Sequence, residues 1–330
     1  MVHILRLSVN FIVLGVIFGL SISLITTGTL KPLLAISEFM PGFIISFLTV
    51  VSNNTFLRQF KYWPFALYVL IKTMFASLIA VTVIFFHTRQ AQSHLNQQTL
   101  EQILITAIIF SIGISLGYNL FVMNIRMLGR NVFYAFFTGK YHKPKEEQRI
   151  FMFIDLVSST VAAEKLGHRK FFAFLNEVFS DISPIIQNHK GTIYKYLGDE
   201  LIVVWTMKDG LQKIRCIQTF FKIQEQLELR AKRYLKKYGI EPQFRAALHM
   251  GKVMVGELGD VKREIAFLGD TVNTTARLQT EAKKRQLKLL ISGDLLHSIP
   301  NYKTLNTKNL GTIKLKGKEI PTEIFCIECE

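Results

Sequence analysis

The chain has 330 residues, a net charge of +16 and a mean hydropathy of +0.27. Its length allows roughly two domains, and so apolar a composition excludes an ordinary soluble protein; the excess sits in about the first 125 residues. The 40 lysines and arginines are not gathered into one aromatic-interleaved patch, which argues against nucleic acid as a partner, and a cytoplasmic bias beside a membrane accounts for them more simply.

Four apolar stretches, near residues 5–25, 33–51, 63–86 and 104–123, reach the roughly 20 residues needed to cross a bilayer. The first is longer than the apolar core of a signal peptide, lacks an evident small-residue cleavage site, and is followed by three more. Arg58 and Lys61 follow the second stretch, and Arg126, Arg130, Lys140, Lys143 and Lys145 follow the fourth, whereas residues 87–102 carry only Arg89 and Glu101 as fixed charges. The positive-inside rule then predicts a multi-pass protein of the cell (inner) membrane, in contact with lipid, with both termini in the cytoplasm. Lys72 in the third stretch and Glu38 in the second either pair or snorkel to the interface. Residues 126–147 read as a helical connector: Phe133, Tyr134, Phe136 and Phe137 among basic residues suit a membrane-surface helix or an inward extension of the fourth stretch, broken by Gly139 and Pro144.

From Arg149 the pattern becomes α/β. The run Ile150-Phe151-Met152-Phe153-Ile154-Asp155 predicts a buried strand leading to Ser158, Ser159 and Thr160, good helix caps. A helix with Phe171, Phe172, Phe174, Leu175, Val178, Phe179 and Ile182 spaced for burial follows, then a hairpin over 192–206 with Gly198-Asp199 at its tip. A long helix is predicted over 211–238 with its basic residues solvated. Two strands, 244–250 and 252–257, are predicted to join tightly at Gly251. Strand 265–268 enters a helix near Asp270, and strands return at 287–291, 311–315 and 323–327. The mixture reads as an α+β domain, a largely antiparallel sheet with packed helices. No P-loop or Rossmann glycine motif is present. Cys216 falls in a predicted helix. Cys326 and Cys329 form a lone C-x-x-C, with no second pair, in a terminal strand.

Asp155 ends one strand and Asp199 sits on a neighbouring hairpin, so the two carboxylates can meet at one sheet edge and hold two hard cations. Alone, each reads equally as a turn residue. Ser158, Ser159 and Thr160 open a helix whose free N–H groups suit phosphate. Asn273 and Arg277 stand four apart on one helix face, either as phosphate- and sugar-facing donors or as an exposed polar pair. Lys195 and Lys316 end strands and serve equally as surface lysines.

Taken together, Phe153-Ile154-Asp155-Leu156, Lys195-Tyr196-Leu197-Gly198-Asp199, Leu268-Gly269-Asp270-Thr271-Val272-Asn273-Thr274-Thr275-Ala276-Arg277 and Leu315-Lys316-Gly317-Lys318 resemble, in order over roughly residues 148–330, the class III nucleotide cyclase domain. The resemblance implies a ferredoxin-like α+β domain at 148–330, behind an α-helical membrane domain at 1–125 and the connector at 126–147. It implies a head-to-tail homodimer with active sites at the subunit interface, converting ATP to 3′,5′-cyclic AMP and pyrophosphate. Two Mg²⁺ or Mn²⁺ per site would sit on Asp155 and Asp199 of one subunit. The other subunit would supply Lys195 to the base, Asn273 to the ribose, Arg277 to the transition state and Lys316 to the triphosphate. The family's adenine-reading Asp or Thr, seven residues before the asparagine, is here Ala266. Lys195 favours ATP over GTP, since guanylyl cyclases usually carry Glu there. Cyclisation of GTP or a pyrimidine nucleotide, and a degenerate membrane receptor that only dimerises, remain as alternatives. The hairpin Leu197-Gly198-Asp199-Glu200-Leu201 also resembles that of diguanylate cyclases, but that family leaves Asn273, Arg277 and 315–318 unexplained.

Overall fold

The alternation along one strand sets the architecture of the C-terminal half. Strand β1 (Lys145–Leu156) is apolar on both faces from Ile150 to Ile154, so it must be covered twice. The computed structural model describes residues 44, 48, 64–90, 97–315 and 321–327. The chain divides into two units, Met1–Arg130 and Asn131–Glu330.

The first unit contains helices α1 (Phe65–Gln90) and α2 (Gln97–Leu128). Among the described residues, one stretch, Phe65–Val83, is long and apolar enough to cross a membrane. It lies inside the third predicted span, and the fourth predicted span lies within α2. The first two, with Glu38, Arg58 and Lys61, fall outside the described residues except for helical Ile44 and Leu48. The four predicted spans therefore reduce here to one candidate membrane helix. Lys72 is buried in it, its ammonium 4.6 Å from the Tyr68 ring centroid. Asn119 of α2 donates to the Thr73 hydroxyl at 3.4 Å.

The second unit opens with α3 (Arg130–Phe137) in the predicted connector. After β1 come α4 (Ser159–Asn188), β2 (Thr192–Leu197), β3 (Glu200–Thr206), α5 (Met207–Leu211), α6 (Arg215–Leu229) and α7 (Ala231–Tyr238). Then follow β4 (Phe244–Leu258), β5 (Glu264–Leu268), α8 (Asp270–Lys284), β6 (Leu289–Ser292), α9 (Gly293–His297), β7 (Thr307–Ile313) and β8 (Thr322–Ile327). The strands form one sheet in the order β2-β3-β1-β4-β6-β8-β7, with β5 paired to β4. Only β4 and β6 run parallel among these pairs, so the expected mixed, mostly antiparallel α+β domain is present.

Ile150, Met152, Ile154 and Leu156 pack with Phe174, Val178 and Ile182 of α4 and Phe220 and Ile223 of α6. Phe151 and Phe153 face the other way, joining Val253 and Val255 of β4 and, at their margin, Val272 and Ala276 of α8. Each fully buried aromatic or aliphatic side chain contributes roughly 1.5–3 kcal/mol. Cys216 is buried in α6 and Cys326 in β8, while Cys329 and Lys316 fall outside the described residues.

Three expectations are corrected. The long helix over 211–238 is broken, because Lys213 and Ile214 take positive φ and Arg230 interrupts the second half. Part of its basic face is engaged: Lys237 Nζ and Tyr238 Oη donate to Glu177 of α4 at 2.5 and 2.8 Å, and Tyr234 Oη donates to Asp181 at 2.7 Å. Ser158 is the N-cap of α4, but at φ +57° and without a side-chain cap bond. Gly251 makes no turn; β4 runs through it as one strand. Its missing side chain admits α8, for a Cβ there would collide with the Thr271 side chain, whose hydroxyl donates to the Lys252 carbonyl at 2.7 Å.

Gly251→Ala should therefore destabilise the domain by about 1–3 kcal/mol, the usual overpacking cost. Pairing it with Thr271→Ala should cost less than the sum of the two single changes, as read by denaturant unfolding. Additive costs would contradict the close approach.

Candidate active site

Register builds the acidic end of the site. Asp155 of β1 lies opposite Glu200 of β3 on one side and Arg245 of β4 on the other. Residues directly opposite in a sheet project from the same face, so Glu200, Asp155 and Arg245 form one row on the α8 face. The two-residue turn Gly198-Asp199 closes the β2–β3 hairpin, with Gly198 at φ +66°, where a side chain would be strained. It brings the Asp199 carboxyl to hydrogen-bonding reach of Asp155.

The cluster is short of positive charge. Burial, then the adjacent Asp199 carboxyl, pushes Asp155 up to about 6, while Lys283 and Arg245 pull it down. Burial, then Asp155 and Asp199, pushes Glu200 up to about 7, again opposed by Lys283. Among the described residues no three His, Cys, Asp or Glu side chains converge as a metal cage. Two close, under-neutralised carboxyls nevertheless suit Mg²⁺ or Mn²⁺, hard ions that keep several waters and take further oxygens from a phosphate substrate.

A cavity of about 640 Å³ adjoins this row. Its lining includes Ser158, Ser159 and Thr160 at the start of α4, with Arg245 and Lys283, the two cations that act on Asp155. The predicted phosphate-facing segment thus opens onto basic side chains that sequence reasoning missed.

The other predicted residues that the structure describes lie on β2, β5 and α8. Asn273 is exposed on α8, and Arg277 is half-buried with its Nη1 buried and, among the described residues, without a hydrogen-bond partner. Leaving such a donor unpaired costs about 1–3 kcal/mol or more. Lys195 turns to β5, its Nζ 3.0 Å from Glu264 Oε1. Ala266 is buried opposite Gly256. Glu200, Arg245, Lys283 and Glu264 are the polar additions. Of these only Glu200 had a sequence signal, its place beside Asp199.

The raised carboxyls make a pH prediction. Each binds its proton more tightly in the folded chain than at its ordinary value of 3.8 or 4.5. Their contribution to stability is therefore lost as pH rises from those values through about 6 and 7. Asp155→Asn should raise the melting temperature of metal-free protein near pH ~7.5 and change it little near pH ~4.5. Mn²⁺ should raise that of the wild type and not of Asp155→Asn/Asp199→Asn. An equal shift at both pH values would contradict the crowding.

Residues 141–328 match the family described as the adenylate and guanylate cyclase catalytic domain. Adenylate cyclase 2 of Rhizobium meliloti (strain 1021) is 38% identical over 203 residues, which are 61% of this chain and 56% of that protein. A receptor-type guanylate cyclase of Caenorhabditis elegans is 26% identical over 204 residues, 60% of this chain and 20% of its own length. The chain thus spans about half the length of the first relative and about a fifth of the second. A solved bacterial light-regulated adenylyl cyclase aligns with a TM-score of 0.57 over 72% of this chain and 66% of its own, at 20% identity, a likeness of fold. The family match covers more than half of the chain and the solved structure shares its fold, so this protein belongs to the class III adenylate and guanylate cyclase family.

Proposed function

We propose that the protein is a membrane-bound adenylate cyclase that converts ATP to 3′,5′-cyclic AMP and pyrophosphate at sites shared between two copies of the chain. The carrying observation is the meeting of Asp155 and Asp199, under-neutralised, beside a cavity lined by Arg245, Lys283 and the start of α4. The name of the Rhizobium relative supports ATP as the nucleotide.

In this reading Asp155 and Asp199 hold Mg²⁺ or Mn²⁺, which when bound neutralises phosphate charge and acidifies the ribose hydroxyl. Arg245, Lys283 and the N–H groups opening α4 orient the triphosphate. The ribose 3′-oxygen loses its proton to solvent and bonds to the α-phosphorus as the bond to pyrophosphate breaks. Lys316 of a second copy contacts the triphosphate, Asn273 holds the ribose and Arg277 meets the charge on the leaving oxygens. The Nη1 of Arg277, without a partner among the described residues and on a group not among those acting on Asp155, supports a site completed by a second copy. Buried Ala266 favours a second reading, cyclisation of a different nucleotide by the same route.

Residues 1–125 serve as the membrane anchor, with four spans. Phe65–Val83 and the hydropathy of the other three stretches support this. The full chain should stay with membranes through an alkaline carbonate wash; release into the supernatant would overturn the anchor.

Purified protein with Mn²⁺ and each of the four ribonucleoside triphosphates in turn should yield cyclic AMP from ATP. Asp155→Ala and Arg277→Ala should each lose at least about 10²-fold in turnover. Co-expressed as a heterodimer, the two should regain activity through one intact site. Absence of recovery in a verified heterodimer would refute the shared site.

A further inference from the structure

Ala266 occupies the position from which an adenine-reading side chain is missing, yet the same strand face offers another. In a β-strand, residues two apart share a face. Glu264 and Ala266 therefore project from one side of β5, while Ile265 and Phe267 pack on the aromatic cluster behind. Glu264 Oε1 lies 3.0 Å from Lys195 Nζ, across 69 residues of sequence. The two side chains keep 37% and 38% of their surface exposed, so a ligand can reach them.

This pairing is fixed by backbone features rather than by two surface side chains meeting by chance. The register of β2 shifts between Ile193 and Lys195, which sets Lys195 opposite Ile202. At that bulge the Tyr194 ring meets the Phe267 ring edge-on at 4.9 Å, and its oxygen accepts from the Phe267 N–H at 3.5 Å. Tyr194 thus ties the bulge to β5 one residue from Lys195. A half-exposed ion pair adds little to stability, so folding alone gives weak reason for the arrangement.

We propose that Glu264 is a specificity-determining residue of this cyclase, accepting from the 6-amino group of adenine while Lys195 donates to the neighbouring ring nitrogen N1. The inference rests on the cyclase reading above. An ammonium only donates and a carboxylate only accepts, and the Watson–Crick edge of adenine presents an acceptor beside a donor. Lys195 alone satisfies the acceptor and leaves the amino group unread. A base seated on Lys195 comes within reach of Glu264, because Nζ and Oε1 already touch. The ammonium has three protons, so donating one to Glu264 does not preclude donating another to the base.

The test compares ATP with purine riboside triphosphate, which keeps N1 and lacks the 6-amino group. The wild type should favour ATP in kcat/KM by about tenfold or more, chiefly through KM, the scale of one charge-assisted hydrogen bond. Glu264→Ala should bring the ratio near unity without lowering the melting temperature. Glu264→Gln, which keeps an acceptor oxygen, should retain most of the preference. An unchanged ratio in Glu264→Ala, or turnover of GTP with none of ATP, would overturn the assignment while leaving cyclase chemistry standing. Turnover of none of the four natural triphosphates by the wild type would instead overturn the cyclase reading, and this assignment with it.

Discussion

The register of β1 against β3 and β4 is the constraint on which the site depends. It places Glu200, Asp155 and Arg245 in one row. A slip of one residue would turn Asp155 toward the α4 side and send Phe153 and Ile154 to the wrong layers. The apolar alternation of Ile150 to Ile154 against two different cores makes such a slip costly, so the packing that stabilises the sheet also aims the carboxylate. Gly251 of β4 contributes on the same face. By admitting Thr271 and the start of α8, it fixes the helix that carries Lys283, which acts on Asp155, and Arg277.

The acidic row works against the stability of the chain that holds it. Asp155 is raised by burial and by Asp199, and Glu200 by burial, Asp155 and Asp199; Lys283 opposes both shifts and Arg245 the first, only in part. A fold selected for stability alone would place a neutral residue at one of these positions. Retaining crowded carboxyls beside a basic cavity is the pattern of a site whose missing charge arrives with its ligands. The same logic applies to Arg277, whose buried Nη1 has no partner among the described residues.

Much of the fold was legible in the sequence because it rests on local signals. The continuous apolar run Ile150 to Ile154 gave β1, and Gly198-Asp199 gave the hairpin. The polar and apolar spacing after Asp270 gave α8. The failures fall where tertiary contact overrode a local sign. Gly251 read as a turn because glycine usually marks one, but here it relieves a collision with another element. The break between α5 and α6 has no Pro or Gly at Lys213 or Ile214 to announce it. Arg245, Lys283 and Glu264 were invisible for a related reason. Each matters through a neighbour distant in sequence, and cross-strand register or helix packing cannot be read from spacing.

The β2–β3 hairpin then bears on the proposed two-copy site. Lys195 and Asp199 are four residues apart, at most about 13 Å along an extended chain. Lys195 turns toward β5 and pairs with Glu264, whereas Asp199 turns toward β1 and meets Asp155. One hairpin thus commits Lys195 and its acidic turn to different neighbours. In an isologous dimer a two-fold axis would let each hairpin lend its lysine to one nucleotide and its aspartate to the other. This arrangement uses both ends of the hairpin at once. It also gives the unpaired guanidinium of Arg277 a place to act without bending α8, whose position Gly251 and Thr271 have already set.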